Sequence, residues 1–330
     1  MIEISHLTKR YGEHLAVSDL SFTVESGQIY GFLGPNGAGK STTMNIMTGC
    51  LSATEGSVRI DGHDIFEEPG KAKKLIGYLP EQPPLYLNET PEEYLRFVGG
   101  AKGLRGAELE RQMDEVILQT GIEEAAHRRI SALSKGYRQR VGIAQALLGG
   151  PKVIILDEPT VGLDPIQIIE IRDLIKELGR THTVIFSSHI LSEVQTICDQ
   201  IIMIAKGKLA AFGTPENLEK HLLAPSEVIL TSESGGHEVR MLLDGIGHIT
   251  DLTVEETEAG LVTAHIKTDL SNAYDLSRSV FSAFAASGSV LLELAVKKAN
   301  LEDIFLELAE EESQPPAVEA ELVESEVAEE

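Results

Sequence analysis

Cysteine is scarce in this chain of 330 residues: Cys50 and Cys198 are its two cysteines, and they do not stand in a paired motif spacing. Two thiols placed in this way cannot build a disulfide framework or a structural zinc site, and they indicate a reducing compartment. Basic residues are also few, 28 against 52 acidic ones, so the formal net charge is −24. A field of that sign repels phosphate backbones, which argues against nucleic acid as the main partner.

Long apolar runs are missing as well. No stretch approaches the roughly eighteen apolar residues that a membrane-spanning helix requires, and the segment from Met1 to Tyr11 lacks the apolar part of a secretory signal. We therefore expect a chain that does not cross a bilayer unaided. Apolar residues nonetheless make up 42% of the sequence, which is enough for a sizeable core and for more than one domain.

Short apolar runs indicate buried strands. Val153–Leu156 is followed directly by two carboxylates, and the segments Ile29–Leu33 and Val184–Ser188 have the same apolar character. Helical periodicity lies between these runs. Alternating strands and helices predict an α/β fold around a parallel sheet with covered faces, and we assign residues 1–220 to this domain.

Other parts of the chain have a different pattern. About residues 85–150 are expected to form a helical insertion, because the segment is polar at first and shows no obvious strand. Residues 221–309 follow the order β-α-β-β-α-β, which predicts a small α+β domain of ferredoxin-like type. The strands are predicted at 227–231, 249–255, 261–268 and 290–296, and the helices at 238–244 and 272–286. A last helix with Asn300 as its N-cap should pack on this domain.

Residues 310–330 contain nine glutamates and no basic residue, so we expect a disordered acidic tail.

A glycine-rich loop is the sharpest signal in the sequence. It lies between an apolar strand and a helix-like segment, and it matches the pattern G-x-x-x-x-G-K-[ST] in Gly34, Pro35, Asn36, Gly37, Ala38, Gly39, Lys40 and Ser41, with Thr42 next. Backbone N–H groups of such a loop converge on the β-phosphate, Lys40 reaches the β- and γ-oxygens, and the Ser41 hydroxyl is a ligand for Mg²⁺. The dinucleotide pattern G-x-G-x-x-G is not met, since Thr42 stands where the third glycine belongs. The loop predicts binding of a nucleoside triphosphate.

Two carboxylates form the expected second part of such a site. Asp157, at the end of a buried strand, can hold Mg²⁺. Glu158 points to another side and can polarise the water that attacks the γ-phosphate. An Asp-Glu pair at a strand end is usually a solvated turn, but its combination with the phosphate loop favours a catalytic role.

Together these motifs resemble those of the ATP-binding subunits of ABC transporters, over about residues 2–217. The other expected elements follow in order: Tyr11, then Gln82 in Tyr78-Leu-Pro-Glu-Gln82, Ser134 and Gly136 in Leu133-Ser-Lys-Gly-Tyr137, Asp164 in Gly162-Leu-Asp-Pro165, and His189 in Ser187-Ser-His189. The resemblance implies a P-loop NTPase core sheet with a helical signature subdomain. It also implies ATP and Mg²⁺ as the ligands of the site.

The resemblance also implies a role for each of these residues. Tyr11 stacks on adenine, and Gln82 contacts Mg²⁺ and reports the nucleotide state to a partner. Ser134 and Gly136 bind the γ-phosphate held by the opposite protomer, and Asp164 belongs to the D-loop beside them. His189 contacts the γ-phosphate and keeps Glu158 and the water in register. Each of three residues also has a purely structural interpretation when it is considered alone. Tyr11 fits an aromatic residue at a strand end, Gln82 a solvated loop residue and His189 a core histidine.

The signature differs from the commonest family form, L-S-G-G-Q, at two positions. Lys135 replaces the first glycine, and it either strengthens the phosphate contact or is simply a solvated cation. Tyr137 replaces the glutamine, whose contact with the ribose is therefore not carried over.

The implied function is ATP hydrolysis that powers a transporter from the cytoplasmic face of the cell membrane. The implied partners are a second copy of the chain, in a homodimer, and a separate transmembrane permease. The run Leu-Ser-Lys-Gly-Tyr-Arg-Gln-Arg and the C-terminal extension around Ala299–Leu306 resemble ATPases of ABC-2-type exporters. Leu85, Tyr86 and Leu87 are predicted to line the groove for a permease helix, and local packing of the helical insertion is the alternative.

Two other functions remain open at this point. One is a soluble ABC ATPase that acts on nucleic acid or ribosomes, although the negative charge of this chain is unfavourable for RNA binding. The other is a nucleotide-gated scaffold without hydrolysis, which the presence of both Glu158 and His189 argues against.

Overall fold

The computed structural model describes residues 1–221, 227–256, 260–270 and 272–297. The helix predicted from Asn300 and the acidic tail predicted at 310–330 lie outside the described residues. The strands are β1 (Ile2–Tyr11), β2 (His14–Val24), β3 (Ile29–Leu33), β4 (Glu55–Ile60), β5 (His63–Asp64), β6 (Ile76–Leu79), β7 (Val153–Leu156), β8 (Thr183–Ser188), β9 (Gln200–Ala205), β10 (Lys208–Gly213), β11 (Glu227–Ser232), β12 (Ile249–Glu256), β13 (Val262–Thr268) and β14 (Leu291–Lys297). The helices are α1 (Lys40–Met47), α2 (Pro69–Ala72), α3 (Pro91–Ala101), α4 (Gly106–Thr120), α5 (Lys135–Leu147), α6 (Pro165–Gly179), α7 (Leu191–Ile197), α8 (Pro215–His221), α9 (Gly236–Asp244) and α10 (Ala273–Ser287).

The central sheet has six strands in the order β10-β9-β3-β8-β7-β6. The strands from β9 to β6 are parallel, and β10 closes one edge in antiparallel orientation. Every residue of β3, β7 and β8 is buried, as expected for strands covered on both faces. The predicted α/β fold with a parallel sheet is confirmed.

A second sheet, in the order β2-β1-β4-β5, is antiparallel and was not predicted from the sequence. Register shifts interrupt the pairing of β1 with both of its neighbours, so apolar and polar residues do not alternate regularly along it. Its inner face packs on the central sheet, with Leu20 and Val58 in one cluster with Phe32 and Met44.

The segment 85–150 is helical. It contains α3, α4, α5 and two short 3-10 turns, and no strand falls within this fully described part of the chain. Thr90 and Glu93 form a reciprocal capping box at the start of α3. No helix in the described ranges is long and apolar enough to span a membrane.

The C-terminal strands form a third sheet in the order β12-β13-β11-β14, with antiparallel pairing throughout. The predicted β-α-β-β-α-β succession is present, and each element lies within one or two residues of its expected bounds. Val280 and Phe284 of α10 bury against Leu230 and Ile266 of this sheet. The division of the chain into domains at residue 220 stays a prediction.

Candidate active site

The glycine-rich loop connects the end of β3 to the start of α1. Gly39 is the N-cap of α1 and has a φ of 103°, and a Cβ there would lie 2.6 Å from the carbonyl oxygen of Ala16. The Nζ of Lys40 donates to the carbonyl oxygens of Gly34, at 2.7 Å, and Pro35, at 3.0 Å. The loop is therefore closed around its own lysine, and its shape requires glycine at position 39.

Asp157 follows β7 and lies beside the hydroxyl of Ser41. Its Oδ1 accepts from Ser41 Oγ at 3.2 Å and from Ser187 Oγ at 2.6 Å. A hydroxyl and a carboxylate so close together are hard oxygen donors of the kind that Mg²⁺ prefers, so these residues fit that ion. Burial, and then the charge of Asp157, raise the pKa of neighbouring Tyr78, which keeps its phenol protonated.

Glu158 is buried and has a left-handed backbone with a φ of 47°. Its N–H donates to Ser187 Oγ at 2.7 Å, which holds this strained conformation in place. Its Oε2 lies 2.9 Å from Nδ1 of His189. Its Oε1 lies 3.5 Å from Nζ of Lys40 and has no hydrogen-bond partner among the described residues.

These groups line one cleft of about 520 Å³. The sequence-predicted residues in it are Tyr11, Asn36, Gly37, Gly39, Lys40, Ser41, Thr42, Glu158 and His189. Tyr11 lies at its edge with its ring half exposed, and Asp157 lies just behind Ser41. Gly34, Pro35 and Ala38 support the loop on the side away from the cleft, where the Ala38 N–H donates to the Pro35 carbonyl.

Sequence reasoning missed four residues of this cleft, namely His14, Ala16, Glu81 and Val161. None of them stands at a motif position to which a role was assigned, so no sequence signal singled them out. Ser187, which bonds to Asp157 and to the backbone of Glu158, was also missed as a functional residue. One weak signal for Ser187 was present in the sequence. It lies in a strand of otherwise apolar character, where a buried hydroxyl needs a hydrogen-bond partner inside the fold.

The remaining predicted residues lie in two other clefts. Ser134, Gly136 and Asp164 line a cleft of about 350 Å³. Ser134 caps α5 by accepting from Tyr137 N–H at 3.3 Å, and Asp164 caps α6 by accepting from Gln167 N–H. Both caps expose the N-terminus of a helix to this cleft.

Gln82 lies in a third cleft, of about 400 Å³, together with Lys135 and Arg138. The ammonium of Lys135 packs on Gly162, since a Cβ on that glycine would come within 2.3 Å of Nζ. Lys135 therefore contacts the loop before α6 in its own chain. Tyr137 is partly buried and packs against the hydrophobic core that the helical segment shares with the central sheet.

The sequence of this chain is similar to those of known ATP-binding proteins. The family model described as "ABC transporter" matches residues 17–161. The linearmycin resistance ATP-binding protein LnrL of Bacillus subtilis is 35% identical, over 93% of this chain and 98% of that protein. The bacitracin transport ATP-binding protein BcrA of Bacillus licheniformis is 34% identical, over 93% of this chain and 97% of that protein.

A solved structure shows the same similarity in three dimensions. The dimeric post-hydrolysis state of the ATP-binding cassette MJ0796 bound to ADP and Pi is 28% identical and has a TM-score of 0.59. The match covers 65% of this chain and 98% of that cassette. This chain therefore belongs to the ATP-binding proteins of ABC transporters, and it is an ATPase.

Proposed function

We propose that this chain drives an ABC-2-type exporter by hydrolysing ATP between two copies of itself, with Glu158 as the general base. The observation that carries the proposal is Oε1 of Glu158, which has no hydrogen-bond donor among the described residues although Lys40 Nζ lies 3.5 Å away. A buried carboxylate oxygen without a hydrogen-bond donor is costly, and such an acceptor on a residue that lines the cleft suits a water molecule.

The neighbours of Glu158 support this role. His189 holds Oε2, which leaves Oε1 to accept the proton from water as the water oxygen attacks the γ-phosphorus and the bond to ADP breaks. Lys40 Nζ, 3.5 Å from Oε1, places a positive charge beside this buried carboxylate, and it exchanges this partner for phosphate oxygens when ATP enters. Ser41 and Asp157 would hold Mg²⁺. The contact of Gln82 with this ion stays a prediction, because Gln82 lines a separate cleft. When bound, this ion neutralises charge on the phosphate oxygens.

A second copy of the chain explains why Ser134, Gly136 and Asp164 lie outside the cleft that contains Lys40. Ser134 and Gly136 present the N-terminus of α5, a group suited to a phosphate, away from Lys40 of the same chain. We infer that the partner copy brings its Ser134 and Gly136 to this γ-phosphate, with Asp164 beside them. The MJ0796 cassette is dimeric with ADP and Pi, which supports the arrangement.

An aromatic patch beside Gln82 fits a permease helix. The Tyr86 ring lies 5.3 Å from that of Phe97, and both are about half exposed. Leu87 is exposed as well, whereas Leu85 is partly buried and packs against the hydrophobic core that the helical segment shares with the central sheet. Leu85 thus anchors the segment, and the exposed members offer an apolar surface to the partner. LnrL and BcrA are named for resistance and transport, which supports an exporter, with this chain on the cytoplasmic face of its permease.

The catalytic proposal is tested with Glu158→Gln, which removes the base and keeps the shape of the side chain. We expect phosphate release to fall by about 100-fold or more, while ATP stays bound in a long-lived dimer. Glu177→Gln, an exposed carboxylate beside Arg180, is the control with the same change in charge. Unchanged turnover in Glu158→Gln would remove Glu158 from catalysis.

The permease proposal is tested separately by replacing Leu85, Tyr86 and Leu87 together with serine. We expect the complex with the permease to dissociate during purification from membranes, while fluorescent ATP binds as before. Leu118→Ser is the control, because Leu118 is an exposed leucine of α4 outside the patch. A complex that survives the triple change contradicts the docking surface.

A further inference from the structure

Glu193 of α7 is a buried carboxylate that the mechanism above does not use. Its side chain is 1% exposed. A single oxygen, Oε2, accepts two hydrogen bonds, one from Thr160 Oγ1 and one from Ser188 Oγ, each at 2.8 Å. A buried carboxylate persists only where such donors or a counter-charge offset its desolvation.

Arg172 of α6 supplies that counter-charge. Its Nη2 lies 3.3 Å from Oε1 of Glu193. Neither Oε1 nor Nε of Arg172 has a hydrogen-bond partner within the described part of the chain. Arg172 and Glu193 therefore form an ion pair without a well-aligned hydrogen bond. The directional contacts of Glu193 are those with the two hydroxyls.

The position of these hydroxyls indicates what Glu193 does. Thr160 follows Glu158 by two residues, and Ser188 directly precedes His189. One carboxylate oxygen thus joins the loop after β7 to the end of β8, the two segments whose side chains meet at Glu158 Oε2 and His189 Nδ1. Two hydrogen bonds of 2.8 Å that meet at one buried carboxylate oxygen fix the two segments relative to each other.

We propose that Glu193 is a positioning residue for hydrolysis, which sets the distance between the Glu158 carboxylate and the His189 imidazole. The proposal rests on the function proposed above. In the described part of the chain Glu193 is hydrogen-bonded to Thr160 and Ser188 and not to Glu158 or His189, so it acts through the two hydroxyls. Small displacements of a base cost large factors in rate, so the connection should matter for turnover more than for nucleotide binding.

The test measures kcat, KM and nucleotide affinity in four variants: Thr160→Val, Ser188→Ala, Glu193→Gln and Glu193→Ala. We expect kcat to fall about 10-fold to 100-fold in Glu193→Ala and less in Glu193→Gln, which keeps one acceptor oxygen. Each hydroxyl variant should give a smaller decrease. KM and the Kd of a fluorescent ATP analogue should stay within about threefold of the parent values.

Val194→Ala is the matched control, since Val194 is the next residue of α7, is fully buried and packs against Gly31. It should lower the Tm with kcat unchanged. A drop in Tm without a drop in kcat in the Glu193 variants would overturn the proposal. If those variants do not fold, Thr160→Val and Ser188→Ala decide the matter by the same criterion.

A double-mutant cycle with His189→Ala gives a readout that a purely structural role would not move. If Glu193 acts through the Glu158–His189 pair, its loss should cost little once His189 is absent, whereas additive losses would contradict the proposal. The two proposals fail differently. Full turnover in Glu158→Gln overturns the catalytic function, and full turnover in Thr160→Val, Ser188→Ala and Glu193→Ala overturns only the role of Glu193.

Discussion

Nδ1 of His189 lies 2.9 Å from Oε2 of Glu158, and this contact follows from the register of two parallel strands. β7 and β8 pair Leu156 with Phe186, so the residues after each strand emerge at the same edge of the sheet. The two side chains meet there, in the cleft that also contains Lys40.

Replacement of His189 by alanine should lower ATP turnover by about 100-fold, because it removes the group that orients Glu158. Nucleotide affinity should change little, since Lys40 and the loop backbone remain. Phosphate release and equilibrium binding of a fluorescent nucleotide measure the two effects. His127→Ala, an exposed histidine of the helical segment, should keep full activity. Turnover that survives in His189→Ala would show that Glu158 needs no such support.

Ser187→Ala should lower both stability and turnover. The Ser187 hydroxyl accepts from Glu158 N–H and donates to Asp157, and the residue is fully buried. Its loss leaves both groups without this partner, which should cost about 1–3 kcal/mol in the free energy of unfolding, measured in urea. Ser192→Ala, at an exposed site, is the control. A stable variant with full activity would mean that another group holds the left-handed backbone of Glu158.

Gly39→Ala should destabilise the fold more than Gly37→Ala. Both glycines have positive φ, 103° and 92°, so alanine is strained at either position, at a cost of about 1–3 kcal/mol. A Cβ at Gly39 also meets the carbonyl oxygen of Ala16 at 2.6 Å, whereas a Cβ at Gly37 meets nothing within 4 Å. Chemical unfolding without nucleotide compares the two, and equal losses would show that the backbone near Ala16 yields easily.

The two cysteines should react very differently with a thiol reagent. Cys50 is exposed, whereas Cys198 is buried, and burial raises the pKa of its thiol. Since the thiolate is the reactive form, we expect one thiol to react in the folded protein and two in denaturant. Cys50→Ser should leave the folded chain unreactive. Rapid reaction of a second thiol under native conditions would indicate that α7 opens readily.

Part of the candidate site was predictable because strand ends and loop motifs are local patterns. Asp157 and Glu158 follow a continuous apolar strand, and the glycine-rich loop follows another, so the convergence of these groups at one sheet edge could be inferred. Their chemical roles stay predictions. Glu193 could not be found in this way, since a glutamate between Leu191 and Val194 in a short helix is typical of a solvated face.

The antiparallel sheet of β1, β2, β4 and β5 was missed for a related reason. Its pairing bulges break the alternation on which strand prediction depends, and tertiary packing decides which side chains are buried.

The sequence by itself determined the buried strands beside the phosphate loop, the loop itself, the C-terminal β-α-β-β-α-β succession and the chemical types of the groups around the loop, because apolar periodicity and glycine spacing act over short distances. Only the tertiary structure decided which of those groups share a cleft. Glu158 meets His189 and Lys40, while Ser134, Gly136 and Asp164 face another side, since strand register and helix packing join residues far apart in the chain.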